Sequence, residues 1–267
     1  MSFSVVNNLA SANAASNLYK AQAGLNKAMG RLSSGYRINM SGDDSAGLAV
    51  ANKYRNDQAI LNQGVRNAND GLSKLQIKDG ALGNIASLLD RMATLATQAS
   101  NAASDADISK LSAEFSSLTT EIDREATVAG LDASAGFSVF ISSETSAADG
   151  KVTGTIGAAE VADLAITQTT FTTVAEAATA LGQVKTAIST LGGVQNTVGT
   201  LQNSLQFAIS LAQSQVVNTQ AAESRIRDAN IAEESANMTK FNILSQAGIA
   251  ALAQANQSTS SVLALLR

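Results

Sequence analysis

The sequence predicts an all-α-dominated fold: a long antiparallel helical bundle or coiled coil with N- and C-terminal helices paired, plus a small β-hairpin insert. Three observations lead there. Apolar residues recur three and four apart over long windows, the spacing that puts them on one face of a helix. The 267 residues include no proline, where average usage gives about 13, so no ring removes a helix donor or clashes with the turn before it. One mid-chain stretch changes to glycine, threonine and β-branched residues, the composition of strands and turns.

The first helix carries Leu18, Ala21, Leu25, Ala28 and Leu32 on one stripe and stops at Ser33-Ser34-Gly35, where glycine can take the positive φ that ends a helix. A second runs from about Asp43 to Ser100, with Leu61, Ala68, Leu75, Leu82, Leu89 and Ala96 at steps of seven and Val65, Leu72, Ile85 and Met92 beside them. Unbroken, it spans ~85 Å. Glycines at 64, 71, 80 and 83 weaken its intrinsic propensity, so packing must hold it. A third carries Ile108, Leu111, Phe115, Leu118, Ile122 and Ala129, opening after Ser104-Asp105 and closing at Gly130, with cap chemistry at both ends.

Between Leu131 and Thr173 short strands are expected at Phe137–Ile141, Val152–Ile156 and Leu164-Ala165-Ile166, with turns at Asp149-Gly150 and Gly157. A fourth helix carries Val184, Ile188, Leu191, Val194, Val198, Leu201, Leu205, Ala208 and Ala212. The last carries Met238, Phe241, Leu244, Gly248, Leu252, Ala255, Val262 and Leu266. Both chain ends therefore bear apolar stripes, although termini usually fray unless tied down. Each large side chain left uncovered forgoes roughly 1.5–3 kcal/mol of burial. The simplest resolution is that the two ends pair with each other and with neighbouring copies, which is the behaviour of an assembly protein.

Composition excludes several functions. The net charge is −4 and no basic cluster with interleaved aromatics occurs, so nucleic acid is not a partner. The charged fraction, 15%, is well below the roughly 25% usual in soluble proteins. There is no Cys, His or Trp, which removes disulfides, thiolate nucleophiles, zinc–thiolate and histidine metal sites and histidine-based triads. No phosphate-binding glycine fingerprint is present. No cofactor, metal site or catalytic residue is expected. Gly42-Asp43-Asp44-Ser45-Ala46-Gly47 lacks the alternating ligands and terminal Glu of a calcium loop and reads as a turn whose Asp caps the next helix. Glu233-Glu234 point in different directions on a helix and suit a solvated or intersubunit face, not carboxylate catalysis. The start lacks a basic region followed by a long apolar run, and no apolar stretch long enough to span a bilayer occurs. Those two absences alone predict a cytoplasmic chain with no membrane insertion.

Specific runs then carry a resemblance. Arg31-Leu32-Ser33-Ser34-Gly35-Tyr36-Arg37-Ile38-Asn39 followed by Gly42-Asp43-Asp44-Ser45-Ala46-Gly47-Leu48-Ala49-Val50-Ala51-Asn52 resembles the N-terminal signature of the bacterial flagellins. Arg66–Gly71, Gly80–Leu82 through Ala96–Ala99 and Glu121–Arg124 continue it. Ser224–Asp228, Asn237–Lys240, Ile243–Gly248, Leu252–Gln257 and the ending Val262–Arg267 are similar to the C-terminal signature. The match covers roughly residues 1–130 and 180–267, in family order. Many flagellins carry large variable outer domains in the middle, so this chain resembles a minimal form.

The resemblance implies a structural subunit that self-assembles into the hollow filament used for swimming, a homo-oligomer of many copies. It implies an inner filament-core domain made of residues 1–41 and 230–267, and an outer core domain of long helices, 42–229, with the β insert at about 131–173. Inner-core assembly residues would be Leu18, Leu25, Leu32, Phe241, Leu244, Leu252, Val262 and Leu266. Partners would be a flagellar export chaperone acting on the C-terminal segment, the filament cap and hook-junction proteins. Type III export without a cleaved signal would place the chain outside the cell, overruling the cytoplasmic expectation. Arg91, Leu95 and Gln98, with Glu114 on the next helix, match positions through which some flagellins engage an animal innate-immune receptor. Subunit packing is their primary expected role and receptor recognition a secondary one. Alternatives are a hook–filament junction protein, which resembles flagellin mainly at its termini, or a secreted ligand working as a monomer. Ser142–Ser146 is the natural exposed candidate for O-glycosylation, or simply a soluble loop.

Overall fold

The structure, a computed structural model, describes residues 8–102, 104–142 and 150–265, with side chains described as far as Ser258. Its elements in chain order are α1 (Leu9–Ser34), α2 (Ser45–Ser100), α3 (Asp105–Ala129), β1 (Ala135–Phe140), β2 (Lys151–Ile156), α4 (Val174–Arg227) and α5 (Ile231–Leu265). The chain divides into two compact units, Met1–Asn56 with Asn218–Arg267 and Asp57–Val217. No helix among the described residues is long and apolar enough to cross a membrane.

Local chemistry sets the helix ends. The Asn8 side chain accepts from Ser11 N–H to open α1, and Gly35 at φ 74° closes it, donating to Arg31 O. Ser104 accepts from Asp107 N–H at the start of α3, and Gly130 at φ 65° ends it. Both glycines occupy the left-handed region that costs an L side chain about 1 kcal/mol or more. The Asp44 carboxylate accepts from Gly47 N–H at 2.9 Å, so the acidic turn caps α2 as expected. Helix α4 begins ten residues before its first expected apolar position. Thr173 accepts from Glu176 N–H at 3.3 Å while Glu176 accepts from Thr173 N–H at 3.3 Å and Thr172 N–H at 2.7 Å, a reciprocal capping box.

In the 57–217 unit one continuous core joins α2, α3, the β-hairpin and α4. Leu75, Leu82, Ile85, Leu89 and Met92 of α2 meet Phe115 and Ile122 of α3 and Val184, Val198 and Leu205 of α4. Helix α3 returns antiparallel along α2: Lys78 donates to Ala129 O at 3.1 Å and to Gly130 O, Asn84 donates to Glu125 at 2.7 Å, and Arg91 pairs with Glu114 at 2.6 Å. Burial lowers the pKa of Lys78, opposed by the charge of Asp132. The ammonium sits on the carbonyl end of α3, where the helix dipole favours a cation.

β1 and β2 form an antiparallel hairpin pairing Ala135 with Ile156 and Phe140 with Lys151. β1 lies against α2 at Gly71, where a Cβ would meet Val139 at 2.8 Å; just past β1 the Ile141 carbonyl would lie 2.0 Å from a Cβ at Gly64, and β2 lies against α4, where Gly154 faces Leu201. The expected third strand at 164–166 is not one. Leu164 and Ile166 point into the core, but Ala165 has φ 60°. Backbone donors of this connection go to side chains in place of a ladder: Val161 N–H to Asp123 at 2.9 Å, Thr167 and Gln168 N–H to Gln183 at 3.0 and 2.8 Å, and Phe171 N–H to Ser112 at 2.9 Å. Phe171 completes it, meeting Phe115 edge to face at 5.3 Å. The expected turn residue Asp149 and the glycosylation candidates Ser143–Ser146 lie outside the described residues.

Candidate functional site

The 1–56 and 218–267 unit is built on α1 and α5, which run antiparallel along each other. Covered positions follow strict three–four spacing on both helices: Ser11, Ala14, Leu18, Ala21, Leu25, Ala28 and Leu32 on α1, and Glu234, Met238, Phe241, Ser245, Gly248, Leu252 and Ala255 on α5. That spacing is the seam of a coiled coil. Two glycines let the backbones approach. A Cβ at Gly24 would lie 2.6 Å from the Phe241 ring, and one at Gly248 would lie 3.3 Å from Leu18. Polar contacts hold the far end, where Asn8 donates to Ala255 O at 2.9 Å and Ser11 donates to Asn256 at 2.9 Å.

At the other end a charged cluster ties three segments. Arg31 donates to Glu234 at 2.9 Å, Lys27 pairs with Asp43 at 2.6 Å, and Arg31 reaches the same Asp43 oxygen at 3.9 Å. The Lys27 hydrogen bond lowers the pKa of Asp43, helped by the Asn39 and Met40 N–H groups and the Lys27 charge and opposed by burial. Glu234 is 7% exposed. This corrects the expectation of a solvated or intersubunit carboxylate: helical geometry separates Glu233 from Glu234, and it turns Glu234 onto Arg31. The connection after α1 is anchored as well. Arg37 N–H donates to Arg227 O at 2.7 Å, its guanidinium donates to Ile226 O at 2.8 Å, and Arg227 lies 4.1 Å over the Tyr36 ring.

Leu9 and Tyr19 of α1, the latter 75% exposed, and Ile231, Ile243, Leu244 and Ile249 of α5 face outward. Leu244, 45% exposed, lies off the seam, which passes from Phe241 to Ser245; it borders an open groove of about 360 Å³ with Asn17, Lys20 and Gly248. Leu18, Leu25, Leu32, Phe241 and Leu252 are half-buried on the seam itself. The side chain of Val262, and Leu266, lie outside the described residues. A two-helix pair has one shared face, so each helix keeps an apolar flank that is exposed among the described residues.

Elsewhere, Arg91, Gln98 and Glu114 are exposed on α2 and α3, with Arg91 bonded to Glu114 through both Nε and Nη2. Leu95 has no exposure. It is three residues from Met92 and Gln98 and turns inward with the former, so the exposed face consists of the other three. No group of acidic residues suited to a metal occurs among the described residues.

A coiled pair of terminal helices with uncovered apolar flanks, joined to a separately packed helical unit, is the form of a polymer-building subunit. The bacterial flagellin N-terminal helical region matches residues 5–138 and the C-terminal helical region matches residues 181–266. Flagellin of Halalkalibacterium halodurans is 37% identical over 258 residues, covering 90% of this chain and 91% of that protein. The flagellar filament 31.3 kDa core protein of Treponema maltophilum is 34% identical, covering 90% and 92%, and Bacillus subtilis flagellin is 33% identical, covering 97% and 98%. The chain belongs to the bacterial flagellin family. That family is structural and not enzymatic.

Proposed function

We propose that this chain is the repeating subunit of a flagellar filament, polymerising through the outward flanks of its terminal helix pair. The observation that carries this reading is the α1–α5 pair, whose seam is satisfied while Tyr19, Ile243, Leu244 and Ile249 remain in solvent. Neighbouring copies supply the missing cover. Residues 1–41 and 230–267 form the inner core of the polymer and 42–229 its outer layer. Leu18, Leu25, Leu32, Phe241 and Leu252 hold the pair together; Leu244 joins copies.

Assembly outside the cell requires export of an uncleaved chain, a chaperone covering the C-terminal apolar helix until then, a cap at the growing tip and junction proteins at the base. Recognition by an animal innate-immune receptor is a second reading of the exposed Arg91, Gln98 and Glu114 surface, favoured by the Arg91–Glu114 pair that holds both charges in fixed geometry on two helices. A junction protein is disfavoured because the family match extends unbroken from the terminus through α2 and α3. Purified chain given short filament seeds tests the main reading. Sedimentation and negative-stain microscopy should find uniform fibres in the pellet; a chain that stays in the supernatant as monomer supports the secreted-ligand alternative instead.

A further inference from the structure

The two ends of the α1–α5 pair are held by different means. At the near end, where α1 stops and α5 starts, backbone is bonded to backbone. Ala229 N–H donates to Gly35 O at 2.9 Å, Arg37 N–H donates to Arg227 O at 2.7 Å, and Tyr36 and Asp228 face each other as an antiparallel bridge. Ile226 and Arg227 are the last residues of α4, and a helix leaves its final carbonyls without partners. The Arg37 guanidinium, donating to Ile226 O at 2.8 Å, fills that need and sets a cation at the negative end of the helix. Arg227 in turn pairs with Glu223 at 3.6 Å and lies over the Tyr36 ring. The next residue along the chain, Ile38, is buried against Gly47. The far end is looser. Asn8 and Ser11 reach Ala255 and Asn256, but no residue of α5 from Ser235 to Ser258 is fully buried.

We infer that residues 35–37 and 226–229 form a clasp that stays closed in the monomer while the far half of the α1–α5 pair opens and closes. The pair then unzips from Asn8 and Ala255 toward the clasp and re-forms in register. Two physical reasons support this direction. Opening is cheapest where few buried contacts are lost, and that is the far half. Closing is cheapest where the chain is already tethered. Helices α2 and α4 each run unbroken from the terminal unit into the 57–217 unit, whose core is complete. Arg37 lies eight residues before α2 and Arg227 ends α4, so the clasp joins two segments close to those tethers, whereas Asn8 and Ala255 stand many residues from them. An open far half bares the apolar faces of α1 and α5 to a partner without losing their pairing. That consequence for assembly rests on the filament reading above; the clasp itself does not.

Amide hydrogen exchange on the full-chain monomer, read by mass spectrometry, tests the clasp. Segments 33–40 and 224–231 report on it, and segments 9–20 and 245–258 report on the far half. In the native chain the clasp should be protected about tenfold or more beyond the far half. Two variants open the clasp by different chemistry. Arg37→Ala with Arg227→Ala removes its side-chain ties, and Gly35→Val forces a β-branched residue into the left-handed region at φ 74°. Either should leave both α1 and α5 unprotected along their length. Asn8→Ala with Ser11→Ala, which removes the far ties, should lower protection in the far half alone. Native protection of the buried α2 stripe from Leu82 to Met92 shows in each case that the 57–217 unit is folded. The inference is overturned by a native clasp no better protected than the far half. It is overturned equally by α1 and α5 staying protected in both clasp variants, or by the far-end variant opening the clasp as fully as its own segment. A protected clasp in a chain that fails to extend filament seeds upholds the inference and counts against the filament reading alone.

Discussion

Asp43 gathers a lysine, an arginine and two backbone donors at the foot of the terminal pair. Its folded pKa lies below the ordinary 3.8, so its contribution to stability is fully present above the unfolded value and lost as pH falls through the folded one. Asp43→Asn should remove that contribution at neutral pH and flatten the loss of helicity in its unit between about pH 5 and pH 2. Circular dichroism of both proteins across that range checks it; a wild-type curve already flat there contradicts the assignment. Glycines separate in the same way. Gly64 has the Ile141 carbonyl at 2.0 Å from any added Cβ, whereas Gly80 has nothing within 4 Å. Backbone cannot give way as a side chain does, so Gly64→Ala should destabilise the 57–217 unit by about 2 kcal/mol. Gly80→Ala should stabilise the same unit by up to about 1 kcal/mol through helix propensity. Denaturant midpoints of the two variants should move in opposite directions.

At the scale of elements, α2 is continuous through Gly64, Gly71, Gly80 and Gly83 because its buried stripe from Leu61 to Ala99 is covered by α3, α4 and the hairpin. A proline at Ala86 removes a donor and collides with the carbonyl four residues back, at about 3 kcal/mol or more. Ala86→Pro should therefore prevent seeded filament growth, while replacing residues 142–146 by a Gly-Ser linker of equal length should leave growth intact. Seeded filament length measures both, and the reverse outcome contradicts the assignment of assembly to the helices. Helices were legible because their apolar spacing persists for many turns, and Ser104, Gly130 and Gly35 mark ends by chemistry that acts locally. Apolar spacing does not mark the start of α4, since the expected stripe begins at Val184; the Thr173–Glu176 capping box does. Residues 157–173 were misread in part because alternating burial at Leu164 and Ile166 looks like a strand, while the bonds that replace the ladder come from Asp123, Gln183 and Ser112, distant in sequence. The role of Gly64 was hidden for the same reason. The seam residues were visible as a stripe, but Leu244 and Leu95 sit one position from a boundary, where periodicity alone does not say which side a residue takes.

For the whole molecule, the terminal unit and the 57–217 unit differ in how they satisfy their apolar residues. The second encloses Phe115, Phe171, Leu75 and Leu89 completely. The first closes one seam, and Tyr19, Ile243, Leu244 and Ile249 stay exposed on its flanks. Leu252 and Leu244 separate these two roles, since Leu252 is half-buried within the pair and Leu244 stands outside it. A charge at Leu252 disturbs the pair itself. A charge at Leu244, 45% exposed at the groove beside Asn17 and Lys20, keeps contact with water in the monomer and becomes buried when a neighbouring copy docks. The most direct measurement is seeded polymerisation of Leu244→Asp, followed by sedimentation beside the wild-type chain, with circular dichroism of both monomers. The account predicts equal monomer helicity and almost no pelleted variant; filaments of normal yield and length from Leu244→Asp would contradict it.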